Sequence, residues 1–278
     1  MSRGQLSKEL IDVGAQRQRL SVEEFAALRA SIIEAARPAF SARCPFVPHE
    51  VFVKNLGVDD DSFVVRRIEI YRSSATGEAV GYAVIRAAEL EIAGSPYVVA
   101  DGSSYLLDEY RGHGVISIFF YRELVALWLR NLLRRRMFLF VVCSPAAYKV
   151  ISKYTHEFYP RARTASSPAM QAVFEALKAR LGYVTLPSRP FVVMNEMWRR
   201  SEDPMERERW RRDPSPDIQF YWEQCGDSGA QGSALVTMIP GHLRNAVLTA
   251  GTLFVGKIGD RIRRLWRGSA GRKSAARR

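Results

Sequence analysis

Residues 105–120, YLLDEYRGHGVISIFF, set Gly112 and Gly114 around His113, just after Arg111 and just before an apolar, helix-compatible run. A helix N-terminus presents backbone N–H groups that lack intrahelical acceptors, together with a partial positive charge. Glycines immediately before it let the backbone approach a phosphate closely. Arg111 adds a guanidinium capable of a charge-assisted contact, and a protonated His113 would add another. The same residues also suit a tight strand-to-helix turn with no ligand, and a glycine pair alone does not separate these two readings.

The elements around this stretch must position it. LSVEEFAALRASIIEAARPAF opens a helix at Ser21, with Glu24 as capping-box partner, Leu20 and Phe25 as a hydrophobic staple, and Pro38 as its expected end. CPFVPHEVF reads as a loop. SFVVRRIEIYRS, AVGYAVIRAAELEI and YVVADGSSYLLDEY read as consecutive, antiparallel strands separated by Thr76-Gly77 and Gly94-Ser95-Pro96 turns. A helix is expected over 114–133, a buried strand in RRRMFLFVVCSP, helices in AAYKVISKYT and SPAMQAVFEALKARLG, and late strands in RPFVVMNEMW and SALVTMIPG. On a helical wheel the 114–133 segment puts Ile118, Val125, Leu129 and Leu132 on a core-facing side, with Phe120 and Leu127 among Arg122, Glu123 and Arg130 opposite.

Over roughly residues 60–160, this order of strands, glycine loop, helix, strand and helix resembles the GCN5-related N-acetyltransferase (GNAT) superfamily. The loop EYRGHG is similar to the family's Gln/Arg-x-x-Gly-x-Gly/Ala pattern at Gly112 and Gly114, with Glu109 in place of the first Gln or Arg. The resemblance implies an α/β (α+β) fold: a mixed, mostly antiparallel central sheet flanked by helices. It divides the chain into an N-terminal helical extension (1–58), the acyltransferase-like domain (59–240) and a basic amphipathic helix with its tail (241–278). It also implies that backbone amides of Arg111, Gly112, His113, Gly114 and Val115 hold the pyrophosphate of coenzyme A, and that the strands on either side of the helix splay around the pantetheine arm. The family's Asn after the second strand falls near Ser144, and its acid tyrosine falls at Ile151, flanked by Tyr148 and Tyr154. A carboxylate on the strand entering the loop would serve as general base, which selects Asp101 and Glu109. The donor is then acetyl-CoA, another acyl-CoA or an acyl carrier protein (ACP) thioester, no metal is needed, and the acceptor is a small or lipid-like amine or alcohol. The alternative is a GNAT-like protein without activity that serves in binding or at a membrane.

Composition bounds these readings. At 278 residues and 47% hydrophobic the chain can bury a sizeable core. Cys44, Cys143 and Cys225 follow no metal-ligand spacing and suit a reducing compartment. The opening MSRGQLSKELIDVG lacks a signal-peptide apolar region, and no stretch is long enough to span a bilayer, so the expected location is cytoplasmic. Of the net charge of +12, residues 257–278 hold +8, nine lysines and arginines against Asp260. Overlapping their start, Leu243, Val247, Phe254, Ile258, Ile262 and Leu265 recur at three- and four-residue steps, with one seven-residue step across Ala250. A basic amphipathic segment of this kind suits an anionic membrane surface on the inner face. No basic patch interleaved with aromatics supports nucleic acid as a partner.

Overall fold

A computed structural model describes residues 5–92, 94–111, 114–131, 136–164, 167–181, 183–186, 188–194, 204–226 and 232–252. Eight strands form one sheet in the order β1-β2-β3-β4-β5-β8-β7-β6. They are β1 (Leu6–Asp12), β2 (Val65–Ser73), β3 (Ala79–Ile92), β4 (Ser95–Leu106), β5 (Arg136–Cys143), β6 (Val184–Leu186), β7 (Arg189–Met194) and β8 (Ser233–Pro240). Every neighbouring pair is antiparallel except β4 and β5, which run parallel. A parallel pair needs a crossover connection, and α4 (Val115–Asn131) supplies it. The tight returns from β2 to β3 and from β3 to β4 turn at Gly77 and Gly94, both in the left-handed region at φ +74° and +72°.

One face of the sheet carries α2 (Val22–Ser41) and α3 (His49–Leu56) over β2–β4, and α6 (Pro168–Leu181) over β4, β5, β7 and β8. The other face carries α4 over β2–β5, and α5 (Pro145–Tyr154) with α8 (Pro216–Cys225) over β5, β7 and β8. The short α1 (Val13–Arg19) follows β1, and α7 (Pro204–Arg211) precedes α8. A last helix, α9, runs over 243–252.

The Ser21–Glu24 capping box forms as expected: Glu24 N–H donates to Ser21 Oγ at 3.2 Å and Ser21 N–H to Glu24 Oε2 at 2.9 Å. Three expectations change. Pro38 lies inside α2, which continues to Ser41, so the helix does not stop there. CPFVPHEVF is only partly loop, because α3 begins at His49 behind Pro48 and ends at Gly57 in the left-handed conformation. Residues 1–58, expected as a helical extension, supply the edge strand β1 and the helices that cover half of one sheet face.

The inward side of α4 also reverses. Phe119, Glu123 and Leu127 are buried, whereas Ile118 and Leu129 are exposed. Electrostatics decides this. Glu123 accepts from Arg67 Nη1 at 2.6 Å and from Arg122 Nε at 2.8 Å, and Arg122 Nη2 reaches Glu69 at 3.1 Å. Arg67 also donates to Asp12 at 3.1 Å. A carboxylate held by two guanidiniums can enter the interior, and it takes its side of the helix with it.

Candidate functional site

β4 and β5 pair from Tyr97↔Arg136 to Asp101↔Phe140 and no further. β4 continues to Leu106 bonded only to β3, and β5 continues to Cys143 bonded only to β8. Past Asp101 and Phe140 the β4–β5 ladder therefore stops and leaves two inner strand edges, where the Leu106 carbonyl accepts from Arg111 Nε and the Cys143 carbonyl from the Tyr221 hydroxyl. An extended chain bearing amides could bond along these two inner edges.

Two helix N-termini stand at the mouth of this opening. α5 starts directly after β5, with Ser144 as its cap: Ala147 N–H donates to Ser144 Oγ at 3.2 Å. α4 starts after the loop and runs back along the sheet. Its Phe120 packs on Gly102, where a Cβ would come within 2.5 Å of both the Phe120 ring and the Val84 carbonyl. The first turn of α4 therefore lies further toward the mouth than Gly102. Ile118 N–H donates to the Gly114 carbonyl at 3.0 Å, which makes Val115, Ile116 and Ser117 the first-turn residues whose amides have no intrahelical acceptor. Each helix start carries partial positive charge at the C-terminal end of the strand it follows.

Gly112 and His113 lie outside the described residues. Gly114 has φ +71°, and a Cβ there would meet nothing within 4 Å. Backbone conformation, not crowding, calls for glycine at this position. Val115 opens α4 and packs partly against the sheet. Arg111 Nε donates to the Leu106 carbonyl at 3.0 Å and Nη1 pairs with Asp108 at 3.0 Å, so its guanidinium braces the loop against the end of β4. Glu109 is exposed in the short turn Asp108–Tyr110 at the same mouth.

The other candidates are placed differently. Asp101, expected as a base, is buried in a bidentate pair with Arg86: Nε to Oδ1 at 2.8 Å and Nη2 to Oδ2 at 2.7 Å. Burial works against the charge of Arg86, but Asp101 outweighs it and holds the guanidinium pKa above its ordinary value. With both oxygens occupied, Asp101 is an ion-pair partner and not a free proton acceptor. Tyr148 is also corrected. Its side chain is fully buried among Phe158, Phe220 and Tyr221, and its hydroxyl donates to the Pro160 carbonyl at 2.9 Å. Burial, reinforced by Asp217, pushes this phenol well up. Tyr154 is the last residue of α5, about 15 Å along the helix from the Ser144 cap. Glu109, Arg111, Gly114 and Val115 thus follow the C-terminal end of β4 and Ser144 follows that of β5, while Tyr148 is buried and Tyr154 lies at the far end of α5.

The sequence reading missed a row on the α2/α3 face of the central strands. Tyr82 and Arg86 on β3 stand beside Asp101, Ser103 and Tyr105 on β4, and Asn55 Nδ2 on α3 donates to Ser103 Oγ at 3.2 Å. Its signal was present: in VVADGSSY, Asp101, Ser103 and Tyr105 recur at a spacing of two, which puts them on one face of a strand. Among the described residues, no group of three or more His, Cys, Asp or Glu side chains could hold a metal ion.

A mixed, mostly antiparallel sheet flanked by helices, with β4 and β5 as its parallel pair, is the architecture the resemblance implied. The chain's fold is of the mixed α/β class, one sheet with helices on both faces. Its sequence matches no family model and no curated protein. Among solved structures it is similar to a protein from Enterococcus faecalis described as a probable N-acyltransferase, at 12% identity and TM-score 0.33, over 53% of this chain and 31% of that one. It is also similar to a ribosomal-protein-alanine N-acetyltransferase from Brucella melitensis biovar Abortus, at 18% identity and TM-score 0.31, over 59% of this chain and 96% of that one. A third is a GCN5-related N-acetyltransferase from Kribbella flavida, at 15% identity and TM-score 0.33, over 55% of this chain and 34% of that one. This chain thus spans about a third of the first and third of these proteins. Likenesses at these scores carry no inference about chemistry, which has to come from the site itself.

Proposed function

We propose that this GNAT-like chain transfers an acyl group from a phosphopantetheine thioester, on coenzyme A or an acyl carrier protein, to an amine or alcohol by direct attack. The observation that carries the reading is the end of β4–β5 pairing at Asp101↔Phe140, beneath the first turns of α4 and α5. The amide-bearing pantetheine arm suits the two strand edges beyond the end of the β4–β5 ladder, and the donor phosphates suit the amides around Gly114 and Val115. The acceptor's nitrogen or oxygen bonds to the thioester carbonyl carbon, the C–S bond breaks, and the departing sulfur takes a proton. Glu109, exposed at the mouth, is the base we assign to the acceptor's proton.

The second reading, a binding protein of this fold without activity, is favoured by Ile151 at the family's acid-tyrosine position and by the commitment of Asp101 and Tyr148 to structural bonds.

Thermal unfolding with CoA, acyl-CoA and acyl-ACP tests donor binding. A donor at 100 times its Kd should stabilise by about 2.7 kcal/mol. Gly114→Glu should remove that shift, by placing a charge and a side chain at the phosphates. Gly114→Ala, with only the conformational cost of about 1 kcal/mol, should keep most of it. No shift for the unmodified protein with any of the three donors would sink both readings. A shift without turnover on amines or alcohols would favour the second.

A further inference from the structure

The C-terminal helix is docked the unusual way round. α9 is amphipathic, yet its polar side faces the protein. Asn245 is 2% exposed, and its side chain donates to the Glu157 carbonyl at 2.9 Å and the Pro240 carbonyl at 2.8 Å, while its Oδ1 accepts from Glu157 N–H at 2.9 Å. Thr249 Oγ1, one turn on, accepts from His156 N–H at 3.2 Å. His242 Nε2 lies 2.9 Å from Glu157 Oε2. The opposite side carries Leu243 and Val247, 55% and 58% exposed, with Leu248 at its margin, 39% exposed. A helix that only completed the core would bury these side chains and leave Asn245 in water.

Topology locates this helix. The Gly241 N–H donates to the Met137 carbonyl at 2.7 Å, at the start of β5. Met137 packs in the same cluster as Leu127 of α4, so the last turn of α4 ends beside the root of α9. There Leu129 is 60% exposed. Arg130, Arg136 and Arg244 are exposed at this end as well. The sequence from 242 to 256 has no carboxylate, and 257–278 adds +8. Apolar side chains and the exposed Arg130, Arg136 and Arg244 thus gather at the N-terminal end of β5, where Glu157 is paired with His242 and Glu89 and Glu91 are exposed on β3, whereas the strand opening lies at the C-terminal ends of β4 and β5.

We propose that this end of the molecule, formed by α9, the last turn of α4 and the start of β5, docks on an anionic lipid bilayer and turns the loop end toward the aqueous phase. Apolar insertion and basic attraction are each weak anchors alone and adequate together. The orientation leaves the mouth open to a water-soluble donor. The proposal stands on α9 and its surroundings and does not depend on acyl transfer.

The test uses the full chain with vesicles of phosphatidylcholine alone or with one quarter phosphatidylglycerol. The protein should sediment with the anionic vesicles at low salt and be released by high salt, since the attraction decays within a Debye length of about 8 Å at physiological ionic strength. Leu243→Glu with Val247→Glu should lower partitioning by about tenfold or more. Because Cys44, Cys143 and Cys225 are buried, an environment-sensitive dye can be attached through Val247→Cys and, separately, Glu109→Cys. The dye at 247 should shift to the blue with anionic vesicles and the dye at 109 should not, and this readout survives if the double variant fails to fold. Full-length protein left in the supernatant, equal shifts at both positions, or a dimer in light scattering that the double variant splits without changing vesicle binding would each overturn the proposal.

Discussion

Replacing Asp101 with asparagine separates two roles by where the loss falls. A catalytic base would be lost with stability intact. The geometry predicts the reverse. Arg86 and Asp101 are 8% and 7% exposed and share two bonds of 2.7–2.8 Å, and the Arg86 guanidinium also lies over the Phe63 ring at 4.8 Å. Neutralising Asp101 leaves a guanidinium charge with little water near it, which costs about 3–5 kcal/mol. Unfolding entropy of about 2.1 cal/mol/K per residue gives roughly 0.6 kcal/mol/K for the 278-residue chain, so the melting temperature should fall by about 5–8 °C. The double change Arg86→Met with Asp101→Leu removes both charges and should recover most of that loss, because an apolar pair of similar volume is often as stable as a buried ion pair. Calorimetry of the three variants, with donor-binding shifts measured alongside, is the assay. An Asp101→Asn protein that melts with the unmodified chain while losing acyl transfer would refute the ion-pair reading and restore Asp101 as the base.

Tyr148→Phe should cost about 1–3 kcal/mol by stranding the Pro160 carbonyl, with donor binding and turnover unchanged; a large loss of turnover at unchanged stability would return Tyr148 to the chemistry. Alkaline pH should destabilise the fold. Burial pushes the Cys225 thiol up from about 9 to about 12, and buried Tyr71 and Tyr148 and half-buried Tyr183 are raised as well. For groups that lose a proton to become anions, a raised folded-state pKa means the folded chain keeps protons that the unfolded chain releases. The contribution is therefore complete below the unfolded values, near 9 for the thiol and 10 for the phenols, and falls away as pH rises through them. A melting temperature flat from pH 9 to 11, or a thiol reagent that titrates Cys225 in the native protein at pH 8, would contradict this.

Much of the fold was legible because local rules govern it. The Ser21–Glu24 capping box, the Gly77 and Gly94 turns, the alternating strands and the strand–glycine–helix order all act over a few residues, and the sequence states them directly. Two kinds of element were not legible. β1, in LSKELID, has few apolar residues and gains strand structure from its backbone pairing with β2. α8 lies in a segment whose apolar side shows only once Cys143, Val192 and Leu235 are there to cover it.

Partnership across the chain also reversed several single-residue readings. The carboxylates of Glu123 and Asp101 look like surface or catalytic groups in isolation. Arg67 lies 56 residues from the first, and Arg86 lies 15 residues and one strand turn from the second; only the sheet brings them close enough to make burial tolerable. Of the expected apolar stripe, Leu243 and Val247 lie on the exposed side of α9, and Phe254, Ile258, Ile262 and Leu265 lie outside the described residues. The outward direction of that side was set by Asn245, whose partners Glu157 and Pro240 meet only at the end of β8. Side-chain chemistry and helical or strand period are properties of the local sequence. Which polar group may be buried, and hence which face turns inward, depends on hydrogen-bonding and charge partners that distant segments bring, and that was settled by tertiary structure alone.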